Sequence, residues 1–411
     1  MDQADTRKTH PAGDKPCYTA LRAYVGVRMG HTFTLFGTVM AAAMLTVAPA
    51  VSQQEQELPS EWTLCLNEGN VYPPDIVADG CTTVIRSHGH NPRELAVAFT
   101  NRGLAYRAQG DLDHALSDYD AAIRVDPGYA VAFNNRGAAR RDRGEYDRAI
   151  ADYTEALRFD PGNAAIFTNR GAAYGDKGDF NRAIADYDEA LHIDPKYATA
   201  LTNRGNAHRE NGDLDRAAAD YAAAIEADPT NAVAFNNRGA VYLVKGDFEQ
   251  AVAYCTEAIR LNPRYAIAFA NRGVARRNKG ELDLAITDFG EAIKLNPRSG
   301  FAMVNRANAW RDKGDFDHAL ADYGDAIKLN PSNTFALSSR GLARLRRGEL
   351  DGSIADFDAA LALNPRLADS LYGRGIAKRK KGDLAGADVD LAAARAIRPG
   401  IAQEFAISEI Q

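Results

Sequence analysis

The chain has 411 residues, 45% hydrophobic and 25% charged, with 49 basic and 55 acidic residues well mixed to a formal charge of −6. This is the composition of a soluble folded protein without a basic tract, which argues against nucleic-acid binding. The length exceeds one ordinary core and implies either two or three globular domains or a repeat array, which grows without a single core.

The first element in chain order is a targeting segment. Residues 31–50, HTFTLFGTVMAAAMLTVAPA, are uncharged and mostly apolar, follow Lys15, Arg22 and Arg28, and end in Ala48-Pro49-Ala50, an A-x-A cleavage pattern. Residues 1–50 are therefore expected to be a secretory signal peptide with a long n-region, starting at Met1 or Met29. An uncleaved signal anchor is the alternative, and the only membrane attachment the sequence offers; the run is short for a span. Residues 51–59 are a polar linker, and the expected location is periplasmic or secreted. Residues 60–95 suggest a helical hairpin around Pro73-Pro74, with Cys65 and Cys81 placed to staple it in an oxidising compartment.

From Ala96 the chain repeats. Gly recurs every 34 residues from Gly103 to Gly375, with Ala307 filling one gap, and Pro recurs at the same step from Pro127 to Pro399. Nine 34-residue units thus cover residues 96–401 without an insertion. With positions counted from Ala96, position 15 is Gly throughout, a left-handed stop for a first helix. Asp or Glu follows it, suited to the exposed N–H groups that start a second helix. Position 32 is Pro, which ends that helix. Positions 8, 20 and 27 are small. Position 24 is large and mostly aromatic, so Cys255 at this position reads as a buried structural thiol. Residues 402–411 start an unfinished tenth unit and are expected to form a capping helix.

This pattern of a large residue at 4, Gly at 8, Ala at 20 and 27, an aromatic at 24 and Pro at 32 resembles the tetratricopeptide repeat. The resemblance implies an all-α solenoid, a right-handed superhelix of helix-turn-helix hairpins whose first helices line a concave face with positions 2, 5, 6, 9, 12 and 13. Two features depart from the family pattern: position 7 is Arg, and position 11 alternates between aromatic and basic residues.

The Arg at position 7 needs an acid, because an unpaired buried charge is costly. Position 23 supplies Asp in eight of nine units, so a structural ladder is expected that pairs Arg102 with Asp118, Arg136 with Asp152 and Arg170 with Asp186. Position 31 is the rival, but it changes from Asp160 to Asn262 while Arg stays. Position 6 carries Asn101, Asn135, Asn169, Asn203, Asn237, Asn271 and Asn305. The resemblance turns these into the concave face, where amides can pair with a peptide backbone in either direction. A similar ladder holds extended peptides in O-linked N-acetylglucosamine transferases. The alternative is that these Asn bond only neighbouring units. Leu243 and Val244, flanked by Arg209 and Arg277, suggest an apolar anchor within that face.

No phosphate loop, nucleophile elbow or metal-ligand motif is present. The expectation is a non-catalytic scaffold without cofactor or metal that binds an extended protein or peptide segment. A structural spacer or assembly factor using the convex face, or an accessory subunit of an envelope enzyme, are the alternatives.

Overall fold

The computed structural model describes residues 60–410, so the expected signal segment and the linker over residues 51–59 lie outside the described residues. Among these, 21 α-helices and one short 3-10 turn occur, and no strand. The fold is an all-α solenoid of helical hairpins. It divides into two compact segments, residues 60–234 and residues 235–410.

Each unit is built by local chemistry. In the second unit the first helix, Ala130–Asp142, ends as Gly144 takes φ 80°, a conformation open to Gly at little cost. The Glu145 N–H then donates to the Arg140 carbonyl at 2.9 Å, closing the turn. Asp and Glu are not equivalent at this next position. The Asp111 and Asp179 carboxylates each accept the N–H three residues on and cap their helices, whereas Glu145, Glu281 and Glu349 form no side-chain cap. The shorter side chain reaches the orphan donor in place.

The hairpin closes on a Gly–aromatic contact. A Cβ on Gly137 would lie 2.9 Å from Cε1 of Tyr153, and on Gly273 2.8 Å from Cε1 of Phe289. A small residue is needed for this close approach; Ala307 fills the same position opposite the buried Tyr323. Ala156, Ala190, Ala292 and Ala326, at position 27, are buried as well.

In residues 60–234 the chain opens with helices Glu61–Leu66 and Pro74–Arg86, joined by a Cys65–Cys81 disulfide. Cys65, Val77, Cys81 and Val84 pack on Ala98 and Ala105 of the first repeat. In residues 235–410 the last helix, Ile401–Ile410, places Ile401 in a core with Leu361, Leu371 and Ala394, and Phe405 against Tyr372 at 4.6 Å. This end layer covers apolar surface that another repeat would otherwise cover.

Candidate functional site

Position 7 is wholly committed to the scaffold. Arg102, Arg136 and Arg170 donate to Asp118, Asp152 and Asp186 at 2.7, 2.6 and 2.7 Å. The same pairing joins Arg204 to Asp220, Arg272 to Asp288, Arg306 to Asp322, Arg340 to Asp356 and Arg374 to Asp390. The Asp118 hydrogen bond raises the Arg102 pKa above its ordinary value against the opposing effect of burial. The alternation at position 11 follows from the same carboxylates: Arg140, Arg276, Arg344 and Lys378 each add a second cation to the Asp of their unit. Where position 23 is Tyr254, Arg238 lies 4.6 Å from the ring centroid instead. Burial pushes the Cys255 thiol up to about 12, so it stays protonated.

The first-helix face carries a second ladder that the sequence reading missed. Arg107 Nε donates to Asp142 and Arg141 Nε to Asp176, each at 2.6 Å, and Arg277 reaches Asp312 at 2.6 Å. Each of these three Arg, at position 12, thus holds the acid at position 13 of the following unit. The signal lies in the sequence as a fixed 35-residue offset, which joins residues of neighbouring units and is invisible within any one unit. A third set, from position 14 back to position 18, includes Lys177 to Asp147 and Lys279 to Glu249, both at 2.5 Å.

The apolar anchor does not exist as expected. Leu243 is 3% exposed and packs with Ala251, Ala275, Phe248 and Val274, leaving only Val244, at 36%, on the surface. The Leu243 side chain packs on Phe248 and Ala251 of its own second helix. Arg carries its charge beyond that contact to a carboxylate, whereas Leu ends within it. The flanking charges are also engaged, Arg209 by its neighbour Glu210 at 3.0 Å and Arg277 by Asp312.

The Asn ladder is uneven. Asn101 donates to the Cys65 carbonyl at 3.1 Å, Asn169 to Asn134 Oδ1 at 3.0 Å and Asn271 to Asn236 Oδ1 at 2.9 Å. Asn237 accepts from Asn236, and Asn305 donates to the Phe301 carbonyl of its own helix. Asn135 and Asn203 are half-buried and have no side-chain hydrogen bond among the described residues. The difference lies at position 5. An Asn there (Asn134, Asn236) offers the next unit an acceptor at the right reach, while Thr100 and Thr168, which precede Asn135 and Asn203, do not serve.

Position 9 shows a related rule. Tyr221 and Tyr323 donate their hydroxyls to Asn206 and Asn308 at 2.7 and 2.5 Å, but the buried Tyr119 hydroxyl has no partner and faces a unit with Leu104 at that position. Leu104 is 37% exposed, so little apolar burial is lost by changing it. Leu104→Asn is expected to stabilise by about 1 kcal/mol. Its unfolding midpoint should rise, and the gain should vanish in a Tyr119→Phe background.

The sequence profiles close the argument. Tetratricopeptide-repeat profiles match residues 96–129, 168–232, 232–265, 271–334, 304–366 and 338–400, and a TPR-repeat profile matches 137–178. The chain belongs to the tetratricopeptide repeat family. Among solved structures, it is similar to a tetratricopeptide repeat protein from Parabacteroides merdae at 20% identity, over 61% of this chain and 99% of that one, with a TM-score of 0.49. It is also similar to the APC/C hetero-tetramer Cut9-Hcn1 at 15% identity, over 82% and 84%, with a TM-score of 0.50. A third is YrrB, described as a TPR protein with an unusual peptide-binding site, at 26% identity over 46% and 97%, with a TM-score of 0.39. These likenesses bear on the repeat fold alone. Curated protein sequences yield no match. Among the described residues no helix is long and apolar enough to cross a membrane, and no cluster of metal-ligating side chains occurs.

Proposed function

We propose that this tetratricopeptide repeat protein is a non-catalytic interaction scaffold that holds an extended polypeptide segment along its first helices, with Asn135 and Asn203 as principal contacts. The observation that supports this reading is selective commitment. On a face where Arg107, Arg141, Asn101 and Asn169 all bond to other residues of the chain, these two amides have no side-chain hydrogen bond. Each amide has a donor and an acceptor, which suits a peptide backbone running either way. They stand two repeats apart, so one extended ligand can engage both.

The test is a peptide array probed with the full chain. Asn135→Ala combined with Asn203→Ala is expected to weaken the selected peptides about tenfold or more, with the unfolding midpoint unchanged because neither amide holds the fold. Asn169→Ala should do the reverse, lowering the midpoint through its lost bond to Asn134 while sparing the affinity. Retained binding in the Asn135/Asn203 double variant would refute the proposal. We further propose that the protein works outside the cytoplasm; the Cys65–Cys81 disulfide supports this, since such bridges persist in oxidising compartments.

A further inference from the structure

The tyrosines at position 24 share one pose, so their hydroxyls end at equivalent points of successive units. Cε1 of Tyr153, Tyr187 and Tyr221 would lie 2.9, 2.8 and 2.7 Å from a Cβ on Gly137, Gly171 and Gly205. Where position 9 is Asn, the chain itself meets the hydroxyl: Tyr221 donates to Asn206 Oδ1 at 2.7 Å and Tyr323 to Asn308 Oδ1 at 2.5 Å. In the second and third units position 9 is Ala138 and Ala172, which offer no side-chain acceptor. Tyr153 and Tyr187 are 1% and 3% exposed, and their hydroxyls have no hydrogen bond among the described residues. The Tyr119 oxygen is sealed in without a partner, whereas those of Tyr153 and Tyr187 are not sealed.

The first-helix surface beside these hydroxyls carries short side chains. On helix Ala164–Asp176, Ala172 and Gly175 lie one turn apart on the same face. Gly175 stands at position 12, where the units on either side carry Arg141 and Arg209. A Cβ on Gly175 would meet nothing within 4 Å, so no packing contact inside the chain calls for a glycine, which weakens a helix. Asn135 stands one turn before Ala138 on helix Ala130–Asp142, and Asn203 stands on the first helix of the fourth unit, Ala198–Glu210. The low patch therefore lies between the two amides that the chain leaves unbonded.

We infer that Tyr153 and Tyr187 form the floor of a subsite for an amide side chain, Gln or Asn, of the segment bound between Asn135 and Asn203. The inference rests on the scaffold reading above and specifies which ligand residue the face selects. Each hydroxyl donates to the carbonyl oxygen of a ligand amide, which takes the part that Asn206 and Asn308 play within the chain. An apolar side chain would exclude water and leave the hydroxyls unbonded, and a buried bond left unmade is costly. A carboxylate would add a negative charge near Asp142 and Asp176, which act on these hydroxyls and already have Arg107 and Arg141 as partners.

The experiment is fluorescence anisotropy of the full chain with three labelled synthetic peptides of equal length, which carry Gln, Leu or Glu at alternate positions in a Ser-Ala background. The Gln peptide is expected to bind about tenfold more tightly than the other two. Tyr153→Phe combined with Tyr187→Phe should abolish that preference and keep the unfolding midpoint of the free protein, since neither hydroxyl bonds within the chain. Ala138→Asn combined with Ala172→Asn should also abolish it but raise the midpoint, because the chain then supplies its own acceptors. Equal binding of all three peptides would overturn the inference, make water the partner of the hydroxyls and leave the scaffold reading standing. Absence of binding by every peptide would overturn both. A preference that survives in the Phe variant would overturn the location, and a lowered midpoint in that variant would make the hydroxyls structural and overturn the subsite.

Discussion

Asp152→Ala is expected to be among the most destabilising single changes in the chain. Its carboxylate takes both Arg136, at 2.6 Å, and Arg140, at 2.8 Å, and is almost fully buried. Removing it takes the carboxylate from Arg140 and leaves Arg136 with Asp120 alone. The expected cost is about 3 kcal/mol, the lower end for breaking a buried pair, because both Arg heads keep partial access to water. Urea unfolding followed by circular dichroism measures it, and amide exchange should localise the loss to helices Ala130–Asp142 and Tyr146–Phe159, since repeat arrays open locally. The seventh unit separates charge loss from pairing. Arg306 and Asp322 bond only to each other in this ladder, because position 11 is Trp310 there and position 25 of the unit before is Gly290. Asp322→Ala should destabilise, while Arg306→Met with Asp322→Leu should return to near the parent value, as apolar replacement of a buried pair is often neutral. A double variant as unstable as Asp322→Ala would show that the pair contributes more than its own desolvation cost.

Phe289→Ala is expected to cost about 3–5 kcal/mol. The ring is 0% exposed and packs directly on Gly273, so truncation opens a void that the glycine cannot fill. The corresponding change in the preceding unit, Cys255→Ala, removes one sulfur atom and should cost about 1 kcal/mol, in line with a single small apolar group. Midpoints from thermal unfolding of the two variants decide the matter. Similar losses would mean that the position, rather than the ring, carries the hairpin's stability.

Much of this architecture can be read without coordinates because it depends on local chemistry repeated nine times. The helix stop at Gly144, the Asp caps and the Gly–aromatic contact each involve residues within one 34-residue unit, and repetition averages out chance. The pairing of position 7 with position 23 was legible for the same reason: where the Asp is lost, at Tyr254, its Arg turns to the ring instead. The functional face was less legible because its bonds cross unit boundaries. Whether Asn169 is free depends on Asn134 of the unit before, and whether Arg107 is free depends on Asp142 of the unit after.

The sequence by itself therefore determined the repeat, the hairpin and the intra-unit ion pairs, all set by backbone conformation and by side chains within reach of one turn. Only the tertiary structure decided which polar groups remain available to a ligand. That choice depends on the reach of side chains between stacked units, where one methylene or one amide determines whether a group is satisfied internally. It withdrew Leu243 into the core, tied five of the seven Asn side chains to the chain itself, and left Asn135 and Asn203 without a partner.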